Sequence, residues 1–166
     1  MLTNFDIERI CDKLDLPIVG VFSKDELANQ ERKIGSYYIN MQNSGDGDGT
    51  HWCLAKIYSD DDREEDSDDE KSVSIAKALY FDPFGLGMPK ETSAFLKPFK
   101  PIYCNNRQIQ SIPSTQCGWY CIACDYVLEH KKHSKTYLED YEKFLEIWSS
   151  NPSKNLTILK KLFKPL

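Results

Sequence analysis

No stretch of this 166-residue chain approaches the roughly 20 consecutive apolar residues that a membrane-spanning helix needs. Nor does the chain open with a basic start and an apolar run: it begins Met-Leu-Thr-Asn, so no secretory leader is expected. The six cysteines (Cys11, Cys53, Cys104, Cys117, Cys121 and Cys124) are too sparse for a disulfide scaffold, and without a leader they are expected to stay reduced. Nothing repeats internally and no interdomain linker is visible. These absences argue against a membrane protein and a disulfide-stapled secreted module. The length suits one domain with a real core, spanning 1–166. The expectation is a monomeric globular protein of the cytoplasm or nucleus.

The net charge of −5 is set by one segment. The run Ser59 to Lys71, "SDDDREEDSDDEK", holds nine acids and two bases, a net of −7, which leaves +2 on the rest of the chain. So dense a block of like charge cannot bury apolar area, and is expected to be a solvated loop insertion over 59–71. A solubilising insertion and an acidic tether for a basic partner are both open.

Thr3 to Leu14 reads as an amphipathic helix, with Ile7, Ile10, Cys11 and Leu14 at helical spacing and Thr3 with Asp6 as a capping box. "PIVGVF" and "GSYYINMQN" read as strands, "NSGDGDG" as a turn. "THWCLAKIY" and "AKALYFDPFG" read as two strands of a hairpin carrying the acidic loop at its tip. A short helix is expected over 90–97, and a strand over "PIYCNNRQIQ". The segment Cys117 to His130 predicts a helix apolar nearly all round in "CIACDYVL", and hence central. Two further helices, over Thr136 to Trp148 and Pro152 to Phe163, fill the C-terminal part, 131–166. The order of elements implies α+β, a mostly antiparallel central sheet packed by helices.

Cys117 stands at the joint where polar "QSIPSTQ" turns into this helix. A thiol in a first helical turn sees unpaired backbone N–H groups and the positive end of the helix dipole, which favour a thiolate. Gly118 behind it leaves room for a substrate backbone to approach the sulfur. Cys121 and Cys124 lie further in, where a thiol is a small hydrophobe. A nucleophilic thiol needs a base, and the base an orienting group. Of three histidines, His130 and His133 sit among lysines at a helix C-terminus. His51 opens a strand, where it is either structural or a base projecting into a cleft. Asp82 ends the neighbouring strand, either as an Asp-Pro turn residue or, if the strands pair, as the partner of His51. Acyl transfer needs an oxyanion donor. Gln110, expected at the end of a strand, is either a surface polar residue or such a donor, with the Cys117 N–H as the second.

Taken in order, "GTHW", "LYFDPFG" and "QSIPSTQCGWYC" resemble the His-Trp, acid-Pro-Phe-Gly and Gln-x6-Cys-Gly signatures of the adenovirus protease family, the adenains. More loosely they resemble the Ulp1-type SUMO proteases of the same clan. The N-terminal helix and "PIVGVFSKDEL" are similar to the adenain start, so the resemblance covers about residues 4–130. It implies a papain-like fold with the nucleophile at the N-terminus of a central helix, and a triad in the order His, acid, Cys. His51 would be the general base and acid, Asp82 its orienter, Cys117 the nucleophile, Gln110 the oxyanion-hole residue. It further implies Trp52 beside the substrate cleft, where a strand aromatic facing the core is the other reading; with Gly118, open for its lack of a side chain, it makes up the expected substrate-binding positions.

The implied activity is a cysteine endopeptidase cleaving after small, glycine-type residues in viral capsid or core precursors during virion maturation. The source would be a DNA virus or a virus-like transposon, with the enzyme in the host cytoplasm or nucleus or packaged in the virion. Its partners would be protein substrates, with no membrane. Adenains are described as using a disulfide-linked basic peptide and DNA. Cys104 does not register with the linking cysteine, and a body charge of +2 gives no broad DNA track, although "KKHSK" and "LKKLFK" could form a local basic patch. No cofactor is expected to be required. Other readings are a deconjugating protease of ubiquitin- or SUMO-like tails, an inactive protease-like binding protein, and a zinc module using Cys117, Cys121, Cys124 and a histidine. Three cysteines on one helix are an unusual zinc geometry, and no metal ligand is assigned.

Overall fold

A computed structural model describes residues 1–47, 50–60, 76–131 and 134–163. Gly49, most of the acidic run (61–71), Lys132, His133 and Lys164 lie outside the described residues. The chain forms helix α1 (Asn4–Lys13), strands β1 (Ile18–Ser23), β2 (Gly35–Asn40), β3 (Trp52–Tyr58) and β4 (Lys77–Phe81), helix α2 (Lys90–Leu96), strand β5 (Ile102–Cys104), and helices α3 (Cys117–His130), α4 (Tyr137–Glu146) and α5 (Asn155–Leu162). Among the described residues, three short 3-10 turns, Lys24–Asn29, Lys97–Phe99 and Pro152–Lys154, punctuate them. The class is α+β, a five-stranded sheet packed by helices.

The strands lie in the order β1-β2-β3-β4-β5. The centre, β2-β3-β4, is antiparallel as expected, and β3 pairs with β4 as the hairpin whose connection contains the acidic run. The two edges differ: β1 pairs parallel with β2, and β5 parallel with β4. Parallel neighbours need a crossover rather than a tight turn. Here the crossovers are the Lys24–Asn29 turn and α2, which both pack on one face of the sheet, with Leu27, Phe95 and Leu96 meeting Tyr37, Ile39, Ala55, Ile57 and Tyr80. The other face, through Trp52, Leu54, Tyr58, Leu79 and Phe81, packs on α1, α3, α4 and α5. With both faces covered, every residue of β3 is buried.

Local signals fix the helix starts. Thr3 caps α1, its hydroxyl accepting from Asp6 N at 3.2 Å while the Asp6 carboxylate accepts from Thr3 N at 3.0 Å. Such reciprocal capping satisfies two donors that a helix start leaves orphaned. Thr136 caps α4 through its hydroxyl, accepting from Glu139 N. The near end of the insertion belongs to the fold: Asp60 pairs with Lys77 at 2.8 Å and accepts from Tyr137 N at 3.0 Å, at the start of α4.

The long strand expected over "PIYCNNRQIQ" is only three residues. The rest leaves the sheet because its backbone donors go elsewhere: the N–H groups of Ile109 and Gln110 both donate to the Pro83 carbonyl, at 2.9 and 2.8 Å. Gln110 therefore sits in a loop rather than at a strand end.

The sheet and α3 are joined by buried charge. Lys56 on β3 faces α3, where its Nζ lies 3.0 Å from Asp125 Oδ1 and 2.6 Å from Glu129 Oε1, and donates to Ser36 Oγ at 2.7 Å. Ser36 and Tyr38 on β2 also donate to Asp125, at 2.6 and 3.1 Å. Burial works against charge on Lys56, but the Asp125 and Glu129 carboxylates outweigh it and hold the ammonium above its ordinary value. Removing one partner of such a pair strands the other charge in the interior. Lys56→Met is therefore expected to cost about 3–5 kcal/mol, measured by urea unfolding. Lys56→Met/Asp125→Leu should recover a substantial part of that loss.

Candidate active site

His51 lies just before β3, and Asp82 just after β4. The pairing of β3 with β4 runs to Leu54 opposite Phe81, so one further step sets Asp82 across from Cys53 and within reach of His51. His51 Nε2 meets Asp82 Oδ1 at 2.7 Å, with the carboxylate fully buried. Asp82 is held through one carboxylate oxygen and its backbone: Oδ1 also accepts from Phe84 N at 2.8 Å, Asn105 brackets the backbone, and the buried Oδ2 has no hydrogen-bond partner among the described residues. Asn105 Oδ1 accepts from Asp82 N at 2.9 Å, and its Nδ2 donates to Asp82 O at 2.6 Å.

The segment "DPFG" is a turn, closed by Gly85 N donating to Asp82 O at 2.8 Å, with proline and glycine where such a turn favours them. Gly85 has φ +67°, and a side chain there would meet the Arg107 carbonyl carbon at 2.5 Å, so only glycine fits. The Phe84 ring packs on His51 with centroids 4.6 Å apart and fixes the plane of the imidazole.

Burial disfavours charge on His51. The hydrogen bond to Asp82, then the Cys117 and Cys53 thiols, outweigh it and raise its proton affinity to about 12. With Nε2 committed to Asp82, Nδ1 is the nitrogen left for a thiol, and it has no closed hydrogen bond among the described residues. Cys117 is the first residue of α3 and is buried. Cys121 and Cys124 are core groups, Cys121 donating to the Trp52 carbonyl at 3.4 Å. Among the described residues, the group whose atoms could hold a metal ion is His51, Cys53 and Asp82, all within 4.8 Å of one another. Thus Cys53, and not the three cysteines of α3, is the thiol nearest to metal-ligating geometry. His130 is placed apart, its Nε2 bonded to the Leu14 carbonyl at 2.6 Å.

Gln110 is fully buried in the loop that leads into α3. Its Nε2 donates to the Ser114 carbonyl at 2.6 Å, which fixes the amide orientation and leaves the second N–H uncommitted. Asn155 at the head of α5 secures this loop, donating to the Ile109 carbonyl at 2.9 Å, and Arg107 donates to the Leu145 carbonyl at the end of α4. The C-terminal helices are thus the back wall of the loop. Sequence reading missed Asn105 and Asn155, and an asparagine in a loop gives no signal of such a role.

Trp52 faces the α3 side of the sheet and is 3% exposed. Beside it opens a groove of about 540 Å³, lined among others by Phe5, Phe22, Glu26, Asn40 and Gln42. Gly118 differs from expectation: the side on which it lacks a Cβ is filled by Leu2 rather than left open.

No protein-family model matches the chain, and no curated protein does. Among solved structures, the selenomethionine form of the ASFV pS273R protease is similar at 14% identity and a TM-score of 0.49. That match covers 85% of this chain and 61% of the other, so the chain spans about three-fifths of that protein's length.

The raised proton affinity of His51 has a defined sign in stability. Its protonated pair with Asp82 stabilises the fold fully below the ordinary histidine value of 6.5, and the stabilisation fades as pH climbs toward about 12. Asp82→Asn keeps the acceptor for Phe84 N but removes the charge. The gap in melting temperature between wild type and this variant should be widest between about pH 5 and 6.5, and should narrow as the pH rises further.

Proposed function

We propose that the protein is a cysteine endopeptidase of the adenain-like, papain-related type, with Cys117 as nucleophile, His51 as base and Asp82 as orienter. The single observation that carries this reading is the buried 2.7 Å His51–Asp82 bond, which leaves the other imidazole nitrogen uncommitted. The resemblance of "GTHW", "LYFDPFG" and "QSIPSTQCGWYC" to adenain signatures supports it.

The Cys117 proton is held at His51 Nδ1, whose proton affinity is raised, and the Cys117 sulfur attacks the scissile carbonyl carbon to form a C–S bond. The carbonyl oxygen becomes an oxyanion, stabilised by the Cys117 N–H and the uncommitted N–H of Gln110. A first-turn N–H has no intrahelical acceptor, which suits the Cys117 donor to that role. The His51 imidazolium protonates the amine as the C–N bond breaks, leaving a thioester. Water, deprotonated by His51, then attacks the thioester, releasing the carboxylic product and returning the thiol. The groove beside Trp52, whose lining does not include His51, Gln110 or Cys117, is the proposed seat of the more distant part of the substrate chain. Proteins with glycine-type sites, such as capsid or core precursors of a DNA virus, are the proposed substrates. The deconjugating alternative shares this chemistry, and a peptide library against ubiquitin-like fusions separates the two.

Cys117→Ala should abolish peptide cleavage with the fold retained. Iodoacetamide at pH 6 should alkylate Cys117 in preference to Cys104, which is exposed but whose thiol is pushed up by its surroundings. A Cys117→Ala protein that still cleaves, or labelling confined to Cys104, would sink the assignment. Gln110→Ala should lower the turnover number by roughly 10²- to 10³-fold with a smaller effect on KM, because the oxyanion exists mainly in the transition state.

A further inference from the structure

Each member of the proposed dyad is followed by a residue that touches Leu2. After His51 comes Trp52, whose indole Nε1 donates to the Leu2 carbonyl at 2.9 Å. After Cys117 comes Gly118, where a methyl group would meet Leu2 Cδ1 at 3.1 Å, Cβ at 3.3 Å and Cγ at 3.5 Å. Leu2 thus spans the start of β3 and the first turn of α3, which are separated by 65 positions in sequence. Its own place is fixed by the capping box that follows it, since Thr3 is bound to Asp6 through both backbone and hydroxyl. Leu2 occupies the position before a helix cap from which a side chain staples back onto the first turn, and it packs against the core that holds Ile7. It is therefore built in as a rigid part rather than resting as a loose end.

We propose that Leu2 is a positioning residue that sets the separation of Cys117 and His51, its carbonyl holding the Trp52 end and its side chain seating the Gly118 turn. Glycine at 118 serves this seat, since an added Cβ would press on the Leu2 side chain at 3.1–3.5 Å, a tight contact that is relieved by a shift of a few tenths of an ångström between Leu2 and the first turn of α3. The proposal rests on the reading of Cys117 and His51 as nucleophile and base. Proton transfer between sulfur and imidazole depends steeply on their distance, and misplacement of a reacting group by about 1 Å costs on the order of 10²-fold in rate.

The test empties the seat and presses on it from the other side. Leu2→Ala keeps the carbonyl bond to Trp52. It should lower the turnover number by about 10²-fold with a smaller change in KM, and should also abolish the low-pH alkylation of Cys117, measured against a Cys117→Ala background. Leu2→Met, which refills the seat, should restore most of both. Gly118→Ala should produce a smaller defect in the same direction, and Leu2→Ala/Gly118→Ala should be more active than Gly118→Ala alone, because the added methyl loses its contacts with Leu2 Cδ1 and Cγ and keeps only that with Cβ at 3.3 Å. Circular dichroism and thermal melting confirm that each variant is folded.

Wild-type turnover and alkylation in Leu2→Ala would overturn the proposal. So would a Gly118→Ala defect that Leu2→Ala fails to relieve, which would return the open side of Gly118 to the substrate. A wild type that cleaves nothing, yet shows Leu2-dependent alkylation at pH 6, would strike the endopeptidase reading and leave the role of Leu2 standing.

Discussion

The arrangement of the site depends on the buried contact of Lys56 with Asp125 and Glu129. The proposed nucleophile and base reside on different elements, Cys117 on α3 and His51 just before β3, so the docking of helix on sheet sets their separation. Asp125 lies eight residues into the helix from Cys117, about 12 Å along its axis. Lys56 lies five residues along the strand from His51, about 17 Å. The ion pair closes the far corner of a figure whose near corner is the dyad, so sliding α3 along the sheet would break one as it opened the other. Apolar packing alone would tolerate such a slide, because hydrophobic contact is not directional. The buried cluster of charged and hydroxyl groups would not, since each neighbour left behind is an unpaired group in a low-dielectric interior.

Around that frame the site is built from short polar clamps on backbone rather than from further charges. Asn105 holds Asp82 by both of its backbone groups, Pro83 accepts from Ile109 and Gln110, and Asn155 reaches the Ile109 carbonyl from α5. The loop carrying Gln110 is therefore pinned at several points, although it lacks regular structure. The C-terminal helices acquire a physical role from this arrangement, because they back the loop from which the oxyanion donor would project. It also explains why "DPFG" carries more than its aspartate. Phe84 sets the imidazole plane, Pro83 supplies the acceptor for the Gln110 loop, and Gly85 lets the Arg107 backbone pass.

The parts of this protein that the sequence determined are those whose cause is local. The capping box of α1, the apolar length of α3, the β3–β4 hairpin and the cysteine at the helix joint all rest on runs of neighbouring residues, and each forms where its residues stand. The His51–Asp82 pair was also legible, because strands joined as a hairpin bring the ends of their runs side by side. Tertiary structure alone decided the rest. The parallel edge strands, the loop at Gln110, the buried role of Lys56 and the seat of Leu2 on Gly118 arise from contacts between segments far apart in the chain. A lysine within an alternating strand, an asparagine in a loop or a leucine before a cap has the same local appearance whatever it will touch. What fixes its role is the partner that the folded chain brings to it, and the strength of that contact comes from burial, which no short stretch of sequence can supply by itself.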